Sequence, residues 1–467
     1  MKILVRSKRD ADAVNAVFKR FAEVSHWRVE SLGGLRGERL IREIQSRIEP
    51  FTIVLLGREE ADIYPLVKPL EDERPFTAIL QARTKRVRNS TVEMIHSLLT
   101  RGRAIIRLKT KWNKSYVLSG APKGKTIDLP VEPYYDTFFL YSRGAKRLLE
   151  TLGLAGNPGL LLVLKGPRGL HYIFSGDKLV GRVDFSTPNY TIKPRVEKYS
   201  DTIAKTSIGE LISENTRILE ILESNAIKLI REAYDRVRPR KVVVPVSGGK
   251  DSSAALLLAS KALDPGIITA IYVDTGIDFP ENKEAAEKIA GKAGVDLVEV
   301  YAGVDEGLME GFPLPTHENR WCTGRKLGAL RKAIERVEPG GRVLIIVGDR
   351  DSESEKRSRR PLVRIDDVLP YPAVSPLRLW SGAHVMGYLW MKGGLVNSLY
   401  SLGFYRTGCY LCFSLRSWEL RIMIEEGIVS RIIDSRPSHK PLFDRFLSLK
   451  SGAPVEERRG EAEPDYA

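Results

Sequence analysis

Seven consecutive residues, Ser247-Gly248-Gly249-Lys250-Asp251-Ser252-Ser253, carry the clearest chemistry in the chain. They follow a continuous apolar run, Val242 to Val246, and precede a strong helix former, Ala254 to Leu263. Such a run reads as a strand buried on both faces of a parallel sheet. Strand, glycine-rich loop and helix in that order aim several backbone N–H groups and the positive helix end at one point, where a phosphate binds. Gly248 and Gly249 permit close backbone approach, and Lys250 adds positive charge. The hydroxyls of Ser247, Ser252 and Ser253 are donors for phosphate oxygens. Asp251 cannot bind phosphate and suits a metal-bridging or loop-bracing role. A tight turn capped by Asp or Ser would explain Asp251 and Ser252, but not two glycines and a lysine. The Walker spacing G-x-x-x-x-G-K is absent.

Further segments fall in a definite order. Ile267 to Val273 reads as a second buried strand, ending in Asp274-Thr275-Gly276-Ile277-Asp278-Phe279-Pro280-Glu281. Val343 to Val347 reads as a third, ending in Gly348-Asp349-Arg350-Asp351-Ser352-Glu353-Ser354, with Lys356, Arg357, Arg359 and Arg360 beyond. Ser375-Pro376-Leu377 to Trp380, Asn397 to Tyr400, Gly403 and Gly408-Cys409-Tyr410-Leu411-Cys412 follow. Together these resemble the PP-loop ATP pyrophosphatase superfamily, and within it the phosphoadenosine phosphosulfate (PAPS) reductase-like family, over about residues 241–413. The resemblance implies an α/β fold, a doubly wound parallel sheet of the PP-loop (HUP, adenine nucleotide α-hydrolase-like) type, with ligands beyond the strand carboxyl ends. It implies ATP with Mg²⁺, split between the α and β phosphates, and a substrate activated as its adenylate. Ser247, Gly248, Gly249, Lys250, Asp251, Ser252 and Ser253 become the phosphate loop, and Asp274 and Gly276 nucleoside-side positions. Lys250, Asp251 and Arg350 are the expected catalytic set, although Asp349 intervenes in the family's Gly-x-Arg-x-x-Glu-Ser pattern and shifts Arg350.

The chain holds three cysteines, Cys322, Cys409 and Cys412. An odd, sparse set argues against structural disulfides. Cys409-x-x-Cys412 is half of a metal or cluster site that Cys322 must reach through the fold, and the family places a cysteine in the Trp321-Cys322-Thr323-Gly324-Arg325-Lys326 region near a later Cys-x-x-Cys. Three readings stay open: a [4Fe–4S] cluster with one iron lacking a protein ligand; zinc, with His317 as a fourth ligand; or uncoordinated thiols, including a redox dithiol.

Reduction of a sulfonucleotide in this family uses a nucleophilic cysteine on a C-terminal segment, and no cysteine follows Cys412 through the tail Ser451 to Ala467. The expected activity is therefore ATP-dependent sulfur transfer, adenylating and thiolating RNA, with tRNA and a sulfur donor as partners. The alternatives are a sulfonucleotide reductase, an ATP sulfurylase-like adenylyltransferase in which Cys409 and Cys412 are structural, and a nucleotide-responsive RNA-binding protein.

The remaining chain must position this site. At 467 residues it exceeds one ordinary core, and roughly 150 residues per domain suggests about three. Residues 1–120 alternate strands (Ile3 to Val5, Thr52 to Gly57, Thr77 to Leu80, Ala104 to Leu108) with helices (Ala11 to Val24, Leu35 to Ile48, Thr91 to Leu99), an α/β pattern. Residues 121–205 read as a linker, Gly120 to Pro133, and a small β-rich module of RNA-binding type with strands at Leu160 to Leu164, His171 to Phe174 and Lys178 to Val183. A helical connector, 206–240, precedes the family-like region, and 414–467 is a helical segment and tail. A formal net charge of +15 favours polyanions. It is densest at Lys85 to Arg88, Arg107 to Lys114 around Trp112, Arg238 to Lys241 and Lys356 to Arg360, where Trp112 is a candidate to stack on an extruded base. No apolar run approaches the ~20 residues of a membrane span, and the N-terminus lacks a signal's apolar region. A cytoplasmic protein is expected, with homodimerisation open.

Overall fold

The computed structural model describes residues 1–187, 189–365 and 369–452. The first sheet has four parallel strands in the order β2-β1-β3-β4: β1 Lys2–Val5, β2 Arg28–Ser31, β3 Thr52–Leu56 and β4 Thr77–Gln81. The stretch Ala104 to Leu108, expected as a strand, instead completes a helix, Val92–Leu108. Its apolar residues continue the buried face begun by Ile95 and Leu99, so helical spacing outweighs the local β preference of Ile105 and Ile106. Gly102 brings this helix against β3, where a Cβ would sit 2.7 Å from Ile53 Cδ1.

The segment Gly120 to Pro133 is packed rather than a free linker. A small three-stranded sheet, β5 Lys111–Asn113, β6 Ser115–Val117 and β7 Lys125–Thr126, captures it, and Ile127 and Leu129 are buried. The β-rich module is an antiparallel sheet ordered β12-β11-β10-β9-β8: β8 Asp136–Tyr141, β9 Leu160–Lys165, β10 Leu170–Ser175, β11 Lys178–Asp184 and β12 Arg195–Lys198.

A helix, Ile208–Val237, opened by a Ser207/Glu210 capping box, leads to the main sheet. This has the order β15-β14-β13-β16-β18-β17, with β13 Lys241–Pro245, β14 Ile268–Asp274, β15 Asp296–Tyr301, β16 Val343–Ile346, β17 Val363–Ile365 and β18 Pro372–Val374. All neighbours are parallel except the edge pair β17 and β18, so the doubly wound α/β fold is present. The strand order reverses about β13, and a crevice opens beyond the carboxyl ends of β13 and β16, where such sheets bind ligands. The helix Lys250–Ala262 after β13 is buried on most sides, which explains its nearly uniform apolar sequence. One apolar core runs from Ile3 through the β module and the connector helix to Tyr400. A second, around Phe279, Phe404, Tyr410 and Phe443, carries the three cysteines at its edge. Helices Ser417–Glu425, Ile428–Ser435 and Lys440–Ser451 finish the described chain. The tail beyond residue 452 lies outside the described residues, and among those no helix is long and apolar enough to cross a membrane.

Candidate functional site

The loop after β13 turns at Gly248 with φ +69°, where a Cβ would lie 2.0 Å from Asn282 O. Only glycine fits such a left-handed position against a backbone. Asn397 Nδ2 reaches both Gly248 O, at 3.1 Å, and Asn282 Oδ1, at 3.0 Å, fixing the turn. The Lys250 N–H is taken by Tyr400 Oη at 3.0 Å. The Gly249, Asp251 and Ser252 amides have no acceptor among the described residues. These are the donors a helix N-terminus offers to an anion.

The cavity over them, about 750 Å³, is lined by Ser247 and Gly249 to Ser252. Gly248 shapes the loop without lining it, and Ser253 is buried behind it. Ser252 Oγ accepts from Ser247 N–H and donates to Gly249 O, so it braces the loop. Asp251 accepts from Lys250 Nζ at 3.0 Å and from Arg350 Nε at 2.7 Å. Burial pushes its carboxyl up, but Arg350 and then Lys250 outweigh this and hold it below the usual value. Of the two roles expected for Asp251, bracing is the one its partners fill.

Arg350 is 1% exposed. Its Nη1 donates to Asp136 Oδ2 at 2.8 Å, on the first strand of the β module. Asp136 also accepts from Tyr405 Oη at 2.7 Å and from the Gly382 N–H at 3.0 Å, and despite burial Arg350 holds it well below the carboxylate range. Arg350 thus lines the cavity with its guanidinium committed to two carboxylates, as a positioning residue rather than a free phosphate ligand. Sequence reasoning missed Asp136 entirely. Gly348, at the end of β16, is required because a Cβ there would meet Asp251 O at 2.6 Å. Asp274 and Gly276 close a turn at the end of β14, the carboxylate accepting the Gly276 N–H at 2.8 Å, and neither lines the cavity.

The β module supplies part of the cavity wall: Lys165, Arg168, Gly169, Phe185, Ser186 and Thr187. Lys165 Nζ lies 4.2 Å from the Tyr405 ring centre, and Lys250 Nζ lies 5.1 Å from the same ring. The basic clusters read from sequence behave differently. Arg86 pairs with Glu59, Arg107 is buried against Pro133 O, and Arg357 and Arg360 pair with Asp349. Trp112 packs edge-on against Tyr116, with ring centres 4.9 Å apart, and so serves the core contact of the small sheet.

Cys409 Sγ lies 3.4 Å from Thr275 Oγ1 and 3.5 Å from Asp278 Oδ1. Burial and then Asp278 push its thiol up. Lys326 is within electrostatic reach of all three thiols and of Asp278. Lys450, on the last helix, clamps the loop by donating to Phe413 O and Leu415 O at 2.7 and 2.8 Å. Among the described residues no three His, Cys, Asp or Glu side chains are gathered as one metal ion requires. His317 is exposed at the cavity rim, edge-on to Phe413 at 4.6 Å.

Residues 241–415 match the phosphoadenosine phosphosulfate reductase domain. An uncharacterized protein of Methanocaldococcus jannaschii is 30% identical over 212 residues, 45% of this chain and 44% of that protein. The chain therefore spans less than half of that relative. An adenosine 5'-phosphosulfate reductase of Streptomyces coelicolor is 28% identical over 198 residues, 41% of this chain and 79% of that one. The crystal structure of a PAPS reductase from Candida auris, in complex with phosphate, gives a TM-score of 0.34 at 18% identity and covers 46% of this chain and 99% of that one.

Proposed function

We propose that the chain is a PP-loop enzyme that binds ATP on the loop Ser247 to Ser253 and adenylates an acceptor, which then receives sulfur. The observation that carries this reading is the preformed anion site: the unpaired amides of Gly249, Asp251 and Ser252, with Lys250 beside them, facing a cavity of about 750 Å³. The amides and Lys250 would stabilise charge on the departing pyrophosphate. The acceptor oxygen attacks the α phosphorus, the bond to the β-phosphate oxygen breaks, and pyrophosphate leaves. A sulfur nucleophile then displaces AMP from the adenylated carbon. Asp251, Asp349 and Glu353 in the cavity are all engaged by cations, so Mg²⁺ would enter on the nucleotide's phosphate oxygens rather than in a carboxylate cage.

Lys326, within electrostatic reach of all three thiols, supports reading Cys322, Cys409 and Cys412 as one cluster site, and His317, exposed at the cavity rim against Phe413, does not favour a fourth zinc ligand. A [4Fe–4S] cluster on Cys322, Cys409 and Cys412 would supply the sulfur nucleophile through its open iron. A tRNA acceptor fits the positive charge of the chain. Incubating the anaerobically prepared protein with ATP and tRNA should release AMP and pyrophosphate and yield a sulfur-containing nucleoside; nucleotide binding without turnover would reject an enzyme and leave a nucleotide-responsive binder. The reductase-domain match favours a second reading, sulfonucleotide reduction, which the same preparation would reveal by releasing sulfite from adenosine 5'-phosphosulfate in the presence of a dithiol reductant.

A further inference from the structure

The β module contributes more than a wall. Among the cavity's cations, Lys165, Arg168, Arg320, Arg406, Arg416 and Lys450 have no carboxylate partner among the described residues. Among the described residues Arg416 Nη1 and Thr407 Oγ1 are buried without a hydrogen-bond partner, although both residues line the cavity. A buried, unmatched guanidinium nitrogen is costly unless a ligand answers it. A single magnesium-bound triphosphate on the loop leaves much of this charge uncompensated.

Two features place a second anion on the module side. Lys165 ends β9 with its ammonium over the Tyr405 ring, turned into the cavity and bonded to no described acceptor. Arg168, at the tip of the β9–β10 turn, holds φ +52°, a left-handed conformation in which glycine would be less strained. The strained residue is the one that presents an exposed guanidinium to the cavity.

We propose that Lys165, Arg168 and Arg416 form a second anion subsite, facing the phosphate loop, that takes a phosphate ester group of the acceptor substrate. This rests on the reading of the loop as the ATP site only in assigning the second anion to the acceptor. The groups around Lys165 agree with it. Burial first, then Arg416, with Arg350 and Lys250 adding and Asp136 opposing, bring its ammonium down to about 7, so a bound anion would recharge it. Arg168 lies outside the residues that hold the loop, and neither Lys165 nor Arg168 belongs to the domain matched at residues 241–415.

The test is calorimetric titration of the full chain at pH 6.5 with inorganic sulfate, with the loop saturated by a non-hydrolysable ATP analogue. Sulfate should still bind, and Lys165→Met and Arg168→Gly should each weaken it at least tenfold while changing analogue affinity less than threefold. Arg168→Gly relieves strain at an exposed turn and guards against misfolding of the other variant. Failure of the analogue itself to bind would overturn the ATP reading, and sulfate binding that still depends on Lys165 would then leave the subsite standing. Absence of sulfate binding with the loop filled would overturn the subsite, as would a proportional loss of analogue affinity in both variants. A 5'-phosphorylated oligoribonucleotide that displaces sulfate identifies a polynucleotide phosphate; displacement by a nucleoside monophosphate alone identifies a small ester. Displacement by neither marks an adventitious ion only and sinks the proposal.

Discussion

Asp136, on β8, and Asp251, in the first turn of the helix Lys250–Ala262 115 positions later, grip one guanidinium: Arg350 gives Nη1 to the first at 2.8 Å and Nε to the second at 2.7 Å. The pair fastens the β module to the phosphate loop. A parallel link joins the first α/β layer, where Arg103 donates Nε to Asp351 at 2.9 Å beside Arg378. The N-terminal part of the chain, outside the matched domain, is thus part of the scaffold on which the loop is held.

Asp136→Asn should be severely destabilising. It leaves a buried guanidinium with one carboxylate where two stood, and breaking a buried pair costs about 3–5 kcal/mol. Chemical denaturation measures it. A loss below about 1 kcal/mol would mean that Arg350 relaxes toward Asp251 without cost.

The two loop glycines should respond unequally. Gly248→Ala meets the backbone of Asn282 at 2.0 Å from a left-handed turn, whereas Gly249→Ala meets side-chain hydroxyls, of Thr407, Ser247 and Tyr400, at 3.2, 3.4 and 3.6 Å. Equilibrium nucleotide binding should be lost in the first variant, by a factor of a hundred or more. In the second it should fall no more than about tenfold. Equal losses would contradict the geometry.

Lys165 gives stability a pH dependence of definite sign. Its folded value is about 7, against about 10.4 in an unfolded chain. Between these the unfolded chain binds more protons, so stability gains as pH rises through that window. The cost of the buried ammonium is complete below pH 7 and fades toward pH 10. Lys165→Met should therefore melt above the native protein at pH 6 and lose that advantage by pH 10. A difference that does not vary with pH would contradict the assignment.

Anaerobically purified protein should contain iron and acid-labile sulfide, and replacing Cys322, Cys409 or Cys412 by Ser should remove both. Metal analysis that finds stoichiometric zinc in their place would favour the adenylyltransferase reading.

The phosphate loop was legible because its chemistry is local: the glycines, lysine and serines that shape Ser247 to Ser253 are neighbours in sequence, and the apolar run before them announces a doubly buried strand. The ends of β14 and β16 were legible for the same reason. Asp136 and Lys165 were not, because nothing in their surroundings marks them and their partners, Arg350, Tyr405 and Gly382, come from distant loops and a helix. Ala104 to Leu108 misled because five apolar-rich residues look alike in a strand and in a buried helix, and the deciding face begins at Ile95. The basic clusters misled in another way. Counting charge cannot see that Arg86, Arg357 and Arg360 are answered by Glu59 and Asp349, so the uncompensated charge lies instead around the cavity.

The central claim is that the turn at Gly248 grips a nucleotide triphosphate. Calorimetric titration of the full chain with a non-hydrolysable ATP analogue and Mg²⁺ tests it most directly. The account predicts one-to-one binding in the native protein that Gly248→Ala abolishes. No binding to the native protein, or equal binding to both, would contradict it.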